Sequence, residues 1–319
     1  MTKGRIRNSA EARVFWANHA VRQRKIVSHY FARILNVLKG QVNAFIKALD
    51  EHGYSYAKVN IERIVEFEPV AKVVKSLYHK SAYIESNYVL RYLKEGRKRA
   101  AIGITFNDLG GVVDDYFKIY LLNNSALPIT EYTRKLISTH LFDQVDAGIS
   151  LDQAIRDFKE LAVTWTGVGG RSFNRAKLIA QTETTRAMSF GQLIGAYMSG
   201  IDVDKVWVTS EDERVRGYWP TPHAPFPHTS LDLQKTELMG AFYNGEKIKF
   251  PGDPEASVEN VAGCRCSLYF MEKAKPKPTV PRRLKNFIRD MFVAQVVSDV
   301  IINDLRKPKK PVEDVQSRN

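Results

Sequence analysis

Cysteine is nearly absent. The 319-residue chain holds two, Cys264 and Cys266, with one residue between them. Two cysteines exclude a disulfide framework, and a bridge across one residue would close a strained ring, so a reducing compartment is expected. A long apolar run is missing as well. The longest apolar-leaning stretch, Met291 to Ile302, is broken by Gln295 and Asp299 and is too short and polar to span a bilayer. The opening residues, Met1 to Arg7, lead into no apolar segment, so no signal peptide is expected. There is no internal repeat, no CxxC or HxxxH zinc signature, no paired-carboxylate metal motif and no recognition-helix signature. Gly167-Val168-Gly169-Gly170 lacks the spacing of a phosphate loop and reads as a flexible connection. What is present, 44% hydrophobic residues with 11% aromatic, belongs to a globular chain long enough for two domains.

Acidic residues are scarce at one end. Residues 1–100 carry 20 Lys and Arg against 8 Asp and Glu, residues 101–250 carry 15 against 18, and residues 251–319 carry 13 against 9, for a total of +13. A basic arm beside a mildly acidic middle points to a polyanion, most often nucleic acid, or to an acidic protein surface. Arg22, Arg24 and Lys25 on the first helix, and the cluster Lys94, Arg97, Lys98 and Arg99, are the candidate phosphate contacts. The second cluster reads equally as a solvated helix end.

The periodicity of Tyr30, Ile34, Leu38, Val42, Phe45 and Leu49 predicts one or two long helices over 9–50, with Gly40 as a point of interruption. Pro69 opens another helix that ends near Gly96. Gly110-Gly111 reads as a turn, and Thr130 to Val145 as helix. Ser150 with Gln153 has capping-box spacing, which starts a helix at Leu151. Residues 205–209, 246–250 and 264–270 read as strands, 273–287 as a basic linker, and 288–305 as an amphipathic helix before a polar tail. The expected fold class is α+β, with a mostly helical N-terminal half, a small α+β domain containing a short antiparallel sheet, and a helical C-terminal tail. The expected boundaries are 1–147, 148–272 and 273–319.

Ala176, Ile179, Ala180, Ala187, Phe190, Ile194 and Tyr197 mark the buried face of one helix, and Glu183 falls in the same register. A carboxylate on an apolar stripe needs a partner. Arg214, Arg216 and His228 are the expected ones, either in a structural ion pair or around a catalytic carboxylate with a raised pKa. Gly191 inside this helix fits either a close crossing or a loosened helix.

These parts occur in a specific order. Arg175-Ala176-Lys177-Leu178-Ile179-Ala180-Gln181-Thr182-Glu183-Thr184 is followed by Trp207, by Asp212-Glu213-Arg214-Val215-Arg216, by His228-Thr229-Ser230-Leu231-Asp232, by Pro251-Gly252-Asp253-Pro254 and by Cys264-Arg265-Cys266. Over roughly residues 148–270, about two fifths of the chain, this resembles the Mu F-like phage head-morphogenesis proteins, also called minor head or minor capsid proteins. Gln181 stands where that family has Arg, Leu233 where it has Gly after the His-x-x-Leu-Asp pattern, and Gly263 where Asn is common. Gly217 to Pro227 looks like an insertion. The resemblance implies Arg175, Thr182, Glu183, Thr184, Trp207, Asp212, Arg214, Arg216, His228, Cys264 and Cys266 as motif residues. It also implies a role in virion assembly, with portal protein, capsid or scaffold proteins and nonspecific double-stranded DNA as partners, in the host cytoplasm and then the head interior, with no membrane and no cofactor.

Two other readings stand beside it. Glu183, Arg214, Arg216 and His228 are residue types suited to a nuclease-like hydrolase, as acid/base and guanidinium clamps. A plain DNA-binding protein would show steeply salt-dependent affinity. His223, His228, Cys264 and Cys266 are potential ligands for a structural zinc, with a buried cysteine pair and a hydrogen-bonded histidine as the simpler account.

Overall fold

The computed structural model describes residues 9–95, 104–166, 171–218, 223–273, 286–288 and 290–291. A mostly helical region running to residue 199 is followed by a small α+β region with short antiparallel sheets. The helices are α1 Ser9–Val59, α2 Ile61–Ile64, α3 Glu68–Lys94, α4 Phe106–Tyr116, α5 Leu127–Ile137, α6 Asp143–Asp146, α7 Leu151–Thr166, α8 Arg171–Ser199 and α9 Val258–Val261. The strands are β1 Val203–Val208, β2 Lys235–Glu237, β3 Phe242–Tyr243, β4 Lys247–Ile248 and β5 Ser267–Glu272.

Two glycine positions behave differently from the expectation. α1 passes through Gly40 unbroken, because the buried stripe Ile34, Leu38, Val42, Phe45 continues on both sides of it. The interruption falls at Gly53, whose φ of 80° is outside helical space. Gly110-Gly111 lies within α4 rather than in a turn. Thr105 and Asp108 form a reciprocal capping box at its start, and Leu109, Val112, Val113 and Tyr116 supply a buried face. That cap and that burial outweigh the roughly 1 kcal/mol that each glycine costs. α4, α5 and α6 are joined by π-helical stretches at Phe117–Ala126 and Ser138–Phe142. α7 begins where Ser150 accepts the Gln153 N–H at 3.4 Å.

β1 is the centre of an antiparallel sheet in the order β2-β1-β5, with Trp207 opposite Leu268 and Val206 opposite Tyr269. β3 and β4 form a separate hairpin. Lys205 of β1 is buried, its Nζ donating to the Lys249 carbonyl at 2.7 Å, and burial pushes its pKa down to about 7.

One hydrophobic core draws on residues from Ala12 to Met291 through α1, α3, α4, α8 and the sheet. A second cluster lies under the C-terminal half of α1, where Phe45 meets Phe158 of α7 and Phe142. The boundary at 147/148 therefore does not separate two cores, since α7 and α8 both complete cores begun by α1. The boundary at 272/273 is crossed too. Phe287 packs on Phe190 and Tyr197, and the Tyr197 hydroxyl donates to Asp290 at 2.6 Å. The remainder of the amphipathic helix expected at 288–305 lies outside the described residues. Among the described residues no helix is long and apolar enough to cross a membrane.

α8 crosses α3 at backbone contact. A Cβ on Gly191 would sit 2.6 Å from Ala82 Cα, and one on Gly195 would run into the Ser86 carbonyl. The close crossing accounts for Gly191. Gly191→Ala and Gly195→Ala are each expected to destabilise the chain by roughly 1–3 kcal/mol through overpacking. Gly40→Ala and Gly111→Ala, where a Cβ meets nothing within 4 Å, are expected to stabilise it by about 0.5–1 kcal/mol. Urea unfolding of the four variants checks this, and equal effects at all four sites would refute the close crossing.

Candidate functional site

α8 is pinned at its start by Arg175. Its guanidinium donates to Thr133 Oγ1 at 2.8 Å and to the Ile129 carbonyl, and it lies over the Tyr132 ring. Burial lowers its pKa to about 10. About two turns later, Thr182 and its neighbours Gln181 and Thr185 face the segment 262–266. Thr182 Oγ1 accepts the Gly263 N–H at 2.8 Å, and the Thr185 hydroxyl and Gln181 amide donate to the Cys264 carbonyl at 2.5 and 3.3 Å. Thr184 is buried on the helix itself.

Glu183 is buried as its register requires, but its partners are not those expected. Arg186, one turn on, donates to both carboxylate oxygens at 3.1 and 3.3 Å, and Tyr78 of α3 donates at 3.2 Å. Arg214, Arg216 and His228 lie elsewhere, around a cleft, because Glu183 points to the α3 side of α8 and the 262–266 segment sits on another side. Arg186 also donates to the Gly252 carbonyl at 2.6 Å, and Gly252, at φ 82°, lets the Pro-Gly-Asp-Pro turn approach the α8 backbone so closely that a Cβ would lie 2.8 Å from Arg186 Cα. The Glu183 carboxylate thus belongs to a helix-packing network and stands apart from the cleft that His228, Arg214 and Arg216 line.

The other motif residues do converge. Asp212 accepts from Arg265 at 2.5 and 2.7 Å and from the Arg214 N–H at 3.1 Å. The Arg265 hydrogen bond is the main reason its pKa falls to about 2. Arg216 donates to the Ala262 carbonyl. Arg216 and Arg265, together with His228, Cys264 and Cys266, surround a cleft of about 420 Å³, which Glu213 and Arg214 also line. Trp207 is fully buried and meets His228 edge-on at 5.4 Å.

At the inner end of the cleft His228 Nδ1 lies 3.6 Å from Cys264 Sγ and 3.4 Å from Cys266 Sγ. All three side chains are buried, and their ligand atoms fall within 4.8 Å of one another. His228 Nε2 sits 2.9 Å from the main-chain carbonyl and the side-chain oxygen of Asn260. A carbonyl cannot donate, so Nε2 carries a proton and Nδ1 is the nitrogen that faces the sulfurs. Asn260 is held in turn by Asn244 and Glu246. Burial pushes the Cys264 thiol up, but the Cys266 hydrogen bond and the imidazole outweigh it and hold Cys264 well below the ordinary thiol range. Burial and the neighbouring Cys264 push Cys266 well above it. For His228, burial lowers the pKa and Cys264 more than restores it. His223 is exposed and stands outside this group, since the 223–227 segment stays at the surface while His228 turns inward.

The expected phosphate contacts divide. Arg24 and Lys25 are exposed on α1. Arg22 is not available: it lies over Tyr88 and donates to Glu85 at 2.5 and 3.2 Å, because Glu85 is wholly buried and needs a counter-charge. Lys94 is half-buried at the end of α3, and Arg97, Lys98 and Arg99 lie outside the described residues. Two features escaped the sequence reading. Glu85, buried with His19 and Gln192, shares the helical register of Tyr78, Ala82 and Val89, the same signal that exposed Glu183. An open cleft of about 610 Å³ between α1 and α3 is lined by His29, Arg33, Lys72, Lys75, His79 and Lys80, residues from two helices that no local pattern joins.

Comparison of the chain with protein-family models, with curated proteins and with solved structures gave no match.

Glu183→Gln leaves the Arg186 guanidinium buried without its counter-charge and is expected to cost about 3–5 kcal/mol. Adding Arg186→Met is expected to recover most of that. Chemical denaturation of both variants measures it, and an unchanged midpoint for Glu183→Gln would remove the structural role.

Proposed function

We propose that this chain is a minor head protein of a double-stranded DNA phage. It acts in head morphogenesis, associates with the portal region of the procapsid and its capsid or scaffold subunits, and supports DNA packaging or delivery by nonspecific contact with the duplex. It assembles in the host cytoplasm and resides in the head interior. The observation that carries this reading is the convergence of the ordered motifs: Thr182 bonds Gly263, Asp212 bonds Arg265, Arg216 bonds Ala262 and His228 lies against Cys264 and Cys266, so pieces spread over more than eighty residues meet beside one cleft. A motif set that meets in space supports reading its pieces as one unit rather than a chance series.

Two departures from the family pattern support it further. Leu233 stands where the family has glycine, and its φ is 58°, a region that favours glycine and strains leucine. Gly263 stands where asparagine is common, and its φ of 68° is one that glycine and asparagine both accept. The backbone keeps the shape that the family residues prefer.

The role is read as assembly rather than catalysis, since Glu183 is withdrawn from the cleft. The duplex contact is assigned to the basic cleft between α1 and α3, with Arg24 and Lys25 nearby in sequence.

Affinity purification of the tagged chain from cells assembling its own particles, followed by mass spectrometry, is expected to recover portal and capsid subunits. Recovery of neither would overturn the assembly role. For the DNA contact, Lys72→Ala/Lys80→Ala is expected to weaken duplex binding uniformly across sequences. It should also reduce the slope of log affinity against log salt by about 2. An unchanged slope would move the contact away from this cleft.

A further inference from the structure

Two of the three edges among the ligand atoms at the inner end of the motif cleft match those of a zinc coordination shell. Tetrahedral zinc, with Zn–S near 2.3 Å and Zn–N near 2.0–2.1 Å, sets its S···N edges at about 3.5–3.6 Å. The two S···N separations are 3.4 and 3.6 Å. A simple hydrogen-bonded cluster explains this less well, because the single ring nitrogen His228 Nδ1 faces two sulfurs at nearly equal distance. A cation between them satisfies all three atoms at once.

The surroundings favour ligation as well. Asn260 fixes the tautomer and orientation of His228, and Asn244 and Glu246 fix Asn260, the outer support that metal-bound histidines require. The Cys266 N–H points at Cys264 Sγ at 3.4 Å, a contact that stabilises a thiolate. The fully buried Trp207 ring meets His228 edge-on at 5.4 Å and fixes the imidazole from a second side. Two sulfurs and an imidazole suit a borderline-soft ion rather than calcium or magnesium.

We propose that His228 Nδ1, Cys264 Sγ and Cys266 Sγ bind one zinc ion whose fourth position opens onto the cleft. Among the described residues no fourth histidine, cysteine or carboxylate joins the group, and the cleft is lined by all three ligand residues. Binding releases both thiol protons to solvent, so two thiolates balance the dication and affinity weakens in acid. Arg214, Arg216 and Arg265 against the one carboxylate Glu213 make the lining net positive, so the fourth ligand is water or a small anion. The ion ties the loop carrying His228 to the turn that α8 holds, 36 residues further on. The site stands independently of the assembly reading.

The test uses the full chain. Elemental analysis after purification with zinc in the medium is expected to find about one zinc per chain. Cys264→Ser, Cys266→Ser and His228→Gln should lose it and His223→Gln should keep it. Because those variants can also unfold, the wild-type chain is stripped with chelator, checked for retained helicity, and titrated with cobalt. Thiolate-to-cobalt charge-transfer and tetrahedral d–d bands are expected, and azide is expected to shift the d–d bands. A folded chain that takes up neither zinc nor cobalt overturns the site. Cobalt bands indifferent to azide overturn the open fourth position.

Discussion

The contact on which the rest depends is the crossing of α3 and α8. Gly191 and Gly195 face Ala82 and Ser86 with no side chain between the two backbones. At that separation long side chains flanking the crossing reach across it. Tyr78 reaches Glu183 on one side, and Glu85 reaches Gln192 on the other. Both carboxylates are buried and each has an arginine, Arg186 for Glu183 and Arg22 for Glu85. Such networks add little net stability over an apolar core, but breaking one partner leaves a buried charge, so they penalise any other helix register.

The second consequence lies on the sheet side of α8. Gln192 bonds Ser267 and the Leu268 N–H, which sets β5 against the helix. Gln181, Thr182 and Thr185 hold 263–264, and Arg186 holds Gly252. The cysteine segment therefore owes its position to the helix, and His228 is brought to it by a separate support, Asn260. The cleft is assembled from three segments that share no local structure, and only the cysteine segment rests directly on the helix.

Much of this was legible without coordinates. Apolar periodicity with cap and proline signals located α3, α7 and α8 to within a few residues and α1 short of its last nine, and alternation located β1, β4 and β5. A charged residue within an apolar stripe announced that Glu183 is buried. The same test applied to Glu85 would have found the second carboxylate and withdrawn Arg22 from the solvent-facing set. The glycines were harder. Gly40, Gly110 and Gly111 lie inside helices and Gly53 interrupts one, because caps and burial outweigh the roughly 1 kcal/mol by which a glycine disfavours helix.

The sequence by itself determined where the long helices and three of the strands lie and that Glu183 is buried, and it offered His223, His228, Cys264 and Cys266 as one candidate set, since periodicity and motif order are local properties of the chain. Only the tertiary structure decided who partners whom. Arg186 rather than Arg214 or Arg216 answers Glu183, His223 stays outside while His228 turns in, and Phe287 joins a core begun at Ala12. Each of those outcomes depends on which side of α8 a distant segment packs against. That is set by the α3–α8 distance and by the competition among buried polar groups for partners, and neither is written in any short stretch of sequence.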